Sequence, residues 1–130
     1  MTASGPSALS VFEAAGGMPF FEGLVARFYA GVASDPILRP MYPAADLAPA
    51  ARRLTLFLAQ YWGGPTTYSA ERGLPRLRAR HAFFPIDEAA RDRWLLHMRA
   101  AVAESGATPE VAAELLRYFD AAADAMRNQP

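Results

Sequence analysis

At 130 residues the chain has the size of one domain able to bury its own core, and with no cysteine it has neither a disulfide framework nor a thiolate metal site. Its 13 acidic and 13 basic residues cancel, and every base is an arginine, so no large field points toward nucleic acid or anionic lipid. No run approaches the roughly 20 apolar residues of a membrane span and the start lacks a basic, then apolar leader, which predicts a protein of the reducing cytoplasm that uses neither membrane nor nucleic acid.

Met1 to Ser7 is a small, polar lead with nothing to bury and is expected to fray, leaving residues 8–130 as a single domain. A short helix from roughly Ala8 to Ala15 should stop at Gly16-Gly17. Pro19 suits the first turn of the next helix, where Phe21, Val25, Phe28, Tyr29 and Val32 recur at three- and four-residue steps. Asp35-Pro36 reads as an N-cap and N1 proline opening a turn of helix that Pro40 and Pro43 keep short, with Tyr42 left in the corner. Asp46 can cap a further helix with an apolar stripe of Leu47, Ala51, Leu54, Phe57, Leu58 and Tyr61, ended by Gly63-Gly64-Pro65. Thr66 to Pro75 reads as turns, and only the stretch into His81 as helix again. Asp87 opens a long helix through roughly Glu104, with Trp94, Met98, Ala101 and Val102 inward. Thr108-Pro109 opens the last, carrying Val111, Leu115, Tyr118, Phe119, Ala122 and Met126 at helical spacing. No segment alternates with β-branched enrichment, so the fold class is all-α.

The residue that most needs explaining is His81, delivered by the basic run Arg76-Leu77-Arg78-Ala79-Arg80 to the apolar stretch Ala82-Phe83-Phe84-Pro85-Ile86. With His97 as the one other histidine, the chain cannot supply three or four zinc ligands. One protein ligand suffices where a macrocycle supplies the rest, as haem does, and the neighbouring arginines would then suit its propionate carboxylates. A surface helix with a solvated charged face and a capping histidine fits this stretch, taken alone, equally well. His97, three residues after Trp94, reads as structural or exposed rather than as a ligand.

Arg27-Phe28-Tyr29-Ala30, Tyr42-Pro43, the run from Phe57 to Pro65, Arg72-Gly73, Arg76-Leu77-Arg78 through His81, and Asp92-Arg93-Trp94-Leu95 together resemble the truncated haemoglobins, and within them the second group. The resemblance extends from about Ala14 to Ala123. It implies a truncated globin-like two-over-two helical sandwich around haem b (iron protoporphyrin IX). His81 matches the proximal iron ligand, which would bind through Nε2 while Nδ1–H is held by a backbone carbonyl, that of Leu77. Tyr29, Tyr42 and Trp94 match distal positions around bound ligand, whereas Ala50 stands where many globins carry histidine or glutamine. Arg53 and Arg80, with Tyr61 and Tyr68, fall on the propionate side, and Arg78 reads as solvated. The expected pocket wall is Ala50, Leu54, Phe57, Leu58, Leu77, Phe84, Ile86 and Met98, although core and cofactor wall look alike in sequence because haem edges are apolar. Leu74 and Phe83 depart from a frequent histidine and proline of relatives, which leaves the loop after His81 open.

A phenol with a pKa of about 10 stays protonated at neutral pH and can donate, as can an indole N–H, to a ligand that gains negative charge. At about 1.5–3 kcal/mol each, two such donors slow escape many-fold. Slow escape suits retention of oxygen for redox chemistry, such as nitric oxide oxidation or peroxidase-like turnover, more than carriage. The expected ligands are oxygen, nitric oxide and carbon monoxide, and with no flavin or nicotinamide motif the electrons must come from an unidentified donor. A sensor or storage protein without turnover, and a haem-free helical interaction module, stay open as alternatives. So does a homodimer, since an exposed apolar face is invisible in one dimension.

Overall fold

The computed structural model describes residues 9–42, 45–76, 81 and 85–129, and among these all regular structure is helical. The order is α1 (Val11–Ala15), α2 (Met18–Ala33), a short 3-10 helix (Arg39–Met41), α3 (Ala48–Tyr61), α4 (Thr67–Arg72), α5 (Glu88–Glu104) and α6 (Pro109–Met126). The lead expected to fray, residues 1–7, lies outside the described residues, as does the helical stretch expected just before His81.

Four long helices make two layers: α2 packs on α3, α5 packs on α6, and α2 on α5 joins the pairs. Phe21, Leu24, Val25, Phe28 and Val32 bury the inner face of α2 almost completely, and Leu115 and Phe119 do the same for α6. Each such side chain contributes about 1.5–3 kcal/mol by leaving water. A Phe28→Ala cavity would cost about 3–5 kcal/mol.

Local signals set the helix starts. Asp87 accepts from Ala90 N–H and Thr108 from Val111 N–H, the capping bonds expected of these residue types. α1 begins at Val11 because Ser10 and Glu13 close a reciprocal capping box. Five residues are too few for a helix to stand alone. Phe12 therefore anchors it, donating its N–H to the Trp62 carbonyl at 2.9 Å and stacking on Phe21 at 5.8 Å. Gly64 makes room for that approach, since a Cβ there would lie 2.7 Å from the Phe12 ring. Asp46 accepts from Ala48 N–H at 2.9 Å, although Leu47, not Asp46, is the residue at the helix boundary.

Two expectations need correction. The segment from Thr66 to Pro75, read as turns, contains α4. Tertiary contacts override its weak propensity: the Gln60 amide accepts from Ser69 N–H (2.9 Å) and donates to Ser69 Oγ (2.7 Å), and Tyr68 is buried beneath. The stripe assigned to α3 is also incomplete at its end. That helix packs on both α2 and α4, so Thr55 and Ala59 are buried while Tyr61 is 52% exposed.

Candidate functional site

A cavity of about 580 Å³ lies between α3, α5, α6 and the corner before α3, a size typical of small-molecule sites. His81, Tyr29, Tyr42 and Trp94, far apart in sequence, all border it. So do Ala50, Leu54, Phe57, Leu58 and Ile86, which make its wall mostly apolar.

Tyr29 and Tyr42 meet edge to face, ring centroids 5.5 Å apart at 85°. Burial, then the neighbouring Tyr42, drives the Tyr29 pKa far above its ordinary value. Burial raises Tyr42 as well, with the bond from Tyr29 acting the other way. Both phenols therefore stay protonated at neutral pH. Trp94 comes from α5 and is wedged between Phe28 (5.2 Å) and Phe119 (5.7 Å).

Arg53 and Arg72 border the cavity from exposed positions, and Tyr68 borders it from a buried one, set edge-on against Phe57 at 5.5 Å. Tyr61 and Met98 do not reach it. Tyr61 turns outward against Tyr118, centroids 4.2 Å apart, and Tyr118 takes the place at the wall. Met98 is wholly buried in the core. Leu77, Arg80 and Phe84, with Arg78 and Phe83, lie outside the described residues. Sequence reasoning missed Leu38, Met41, Arg72, Tyr118 and Met126 as cavity residues. The stripe on α6 was visible but carried no mark separating cavity wall from core.

The chain after α6 also reaches the backbone of two cavity residues, which nothing in the sequence signalled. Asn128 accepts from Ile86 N–H (2.9 Å), returns its own N–H to the Ile86 carbonyl (2.9 Å), and its Nδ2 donates to the His81 carbonyl at 3.3 Å. One side chain thereby ties both ends of the segment that carries His81.

The second histidine is occupied elsewhere. His97 donates through Nε2 to Oδ2 of the buried Asp35 at 2.6 Å, beside Arg93 Nε at 2.8 Å. Burial alone would raise the Asp35 pKa, but hydrogen bonds from His97, Leu38 N–H, Arg93 and Ile37 N–H overcome it and hold the carboxyl well below the usual carboxylate range. Asp35-Pro36 thus caps its turn as expected and also binds α5. Among the described residues no three His, Cys, Asp or Glu converge as a metal site. One imidazole at an apolar cavity, with guanidinium groups at the rim, is the donor set that suits iron carried in a macrocycle.

Comparison with known proteins agrees with this architecture. A family model for bacterial-like globins matches residues 10–128. The chain is 43% identical over 106 residues to group 2 truncated hemoglobin YjbI of Bacillus subtilis, covering 82% of this chain and 80% of that one. It superposes with a TM-score of 0.92 on a thermostable hemoglobin from Thermobifida fusca, at 54% identity over 94% of this chain and 99% of that one. With a truncated oxygen-avid haemoglobin from Bacillus subtilis the TM-score is 0.87, at 39% identity over 92% of this chain and 100% of that one.

Proposed function

Since the chain belongs to the bacterial-like globin family, and within it to the group II truncated haemoglobins, we propose that it holds haem b, grips oxygen or another diatomic ligand in its largely apolar cavity through a few polar groups, and retains it for redox chemistry. Haem, when bound, supplies an iron centre that takes a diatomic ligand and exchanges electrons. His81 would hold the iron, and Arg53 and Arg72 would pair with the propionate carboxylates. The wall of Leu54, Phe57, Leu58 and Ile86 excludes water from the rest of the macrocycle.

The observation that carries the reading is the donor arrangement. Tyr29 and Tyr42 meet edge to face at the cavity with both phenols protonated, so an O–H is there for another acceptor, and Trp94 borders the same space with an indole N–H. Ala50 contributes no donor, so ligand retention falls to these aromatic groups. A relative described as oxygen-avid fits a pocket of this kind. Nitric oxide oxidation or peroxidase-like turnover would draw electrons from a separate donor, in the cytoplasm, with the protein as a monomer or homodimer.

The test is spectroscopic and kinetic. The purified protein should show a Soret band that His81→Ala abolishes. Trp94→Phe keeps most of the bulk and loses the donor, so oxygen release should quicken by about one to two powers of ten, the equivalent of roughly 1.5–3 kcal/mol. Carbon monoxide release should change less, because that ligand gains little negative charge. Equal changes for both ligands would make the indole a steric wall and sink its role as donor. Turnover with a reductase separates redox chemistry from sensing or storage.

A further inference from the structure

The elements that carry the polar wall of the cavity meet at one buried carboxylate. Asp35, 2% exposed, follows α2, the helix of Tyr29, and opens the turn that ends at Tyr42. Its Oδ1 accepts from Ile37 N–H (2.8 Å) and Leu38 N–H (3.0 Å), and its backbone carbonyl accepts from Arg39 N–H (2.9 Å). Arg39 in turn donates to the carbonyls of Tyr42 and Ala45. The second carboxylate oxygen is turned to α5, where Arg93 (2.8 Å) and His97 (2.6 Å) donate to it from one helical turn apart, on either side of Trp94 in sequence.

A carboxylate withdrawn from water must have its lone pairs filled, and a buried network rigidifies what it joins. Here the donors come from two places: the turn leading to Tyr42 and the helix carrying Trp94. Sliding α5 against that turn would break charged hydrogen bonds that water cannot replace. Gly31 permits the arrangement, because the His97 ring lies against the backbone of α2 where an added Cβ would come within 2.9 Å of His97 Cγ. A glycine inside a helix weakens the helix, so its presence at this contact reflects the space the imidazole needs.

We infer that Asp35, Arg93 and His97 are positioning residues for the ligand site, fixing the Trp94 indole relative to the Tyr42 corner. None of the three borders the cavity, so they act through Trp94 and not by touching the ligand. The inference rests on the reading of Trp94 as a ligand donor, and the experiment keeps the two apart.

In the isotope-labelled holoprotein with carbon monoxide bound, the Trp94 Nε1–H resonance should move in Asp35→Asn and in Gly31→Ala. It should hold in Arg99→Ala, which breaks only an exposed pair with Asp120 from the same helix. Oxygen release should quicken about three- to tenfold in the first two variants. In a Trp94→Phe background the Asp35→Asn effect should shrink below about twofold, as expected for groups that act as one unit. Should Asp35→Asn fail to fold, Gly31→Ala and His97→Gln carry the same comparison. An unmoved indole resonance, or an Asp35→Asn effect of full size without Trp94, overturns the inference. If the resonance moves but Trp94→Phe leaves oxygen release unchanged, the positioning node stands and the donor role of Trp94 falls.

Discussion

Tyr42→Phe separates the two tyrosines, because only one hydroxyl of such a pair can keep its proton for a ligand. With Tyr29 as donor and Tyr42 as acceptor, the direction that the variants test, replacing Tyr42 removes the proton available to a ligand and also the acceptor that Tyr29 relies on. Tyr29 is 9% exposed, and its stranded hydroxyl should cost about 1–3 kcal/mol of stability. Loss of the donor to a charged acceptor adds roughly 1.5–3 kcal/mol on the ligand side, or about ten- to a hundredfold in oxygen release. Tyr29→Phe strands no donor: Tyr42 keeps its own proton and loses only an incoming bond, which costs about 0.5–1.5 kcal/mol. Stopped-flow oxygen release and urea unfolding of the two single variants supply both readouts. Release faster in Tyr29→Phe than in Tyr42→Phe would show that Tyr29 itself faces the ligand and would refute the direction of the pair.

Further outcomes follow from groups at the edges of the site. Asn128→Ala removes the tie between the tail and the His81 segment; losing bonds of about 1 kcal/mol should speed haem transfer to an excess scavenger several-fold, and an unchanged rate would exclude the tail from haem retention. Arg53→Ala should raise haem loss by no more than about fivefold at low salt and less at high salt, since an exposed ion pair contributes about 1 kcal/mol or less. Asp35 has a folded pKa below its unfolded one, so its contribution is fully present above the ordinary value of 3.8 and is lost as pH falls below it. Acid unfolding of Asp35→Asn should therefore show a shallower dependence on pH below about 4 than the wild type, and parallel curves would argue against a paired carboxylate.

Most of the helical frame was legible because its signals are local. Asp87, Thr108-Pro109 and Gly16 act through bonds or dihedral angles within a few residues, and the stripe on α2 needs only a helical period to be seen. What was not legible depends on partners distant in sequence. α4 forms because Gln60 reaches Ser69, and Tyr61 gives way to Tyr118 at the cavity because the two rings pack with one outside the other. The α3 stripe could not reveal this, since one period is compatible with either ring facing inward. Asn128 lies 47 positions from His81, and an asparagine after a helix has no pattern that points to so remote a carbonyl.

The two histidines show how the third dimension assigns roles that composition leaves equal. Each is a neutral-pH metal ligand by chemistry, and each sits among arginines in sequence. In the fold, His97 is committed elsewhere: Nε2 bonds the Asp35 carboxylate, and the ring lies close against α2 at Gly31. Its ring is thereby spent on joining α5 to the turn before Tyr42. His81 instead borders the cavity, with its main chain secured by Asn128. The same division explains the neighbouring charges. Arg93 stays partly exposed while pairing with the buried Asp35, whereas Arg53 and Arg72 border the cavity from solvent, where a guanidinium can meet a carboxylate without first being dehydrated. With no cysteine and with His97 committed to Asp35, His81 is the histidine that the fold places at the cavity.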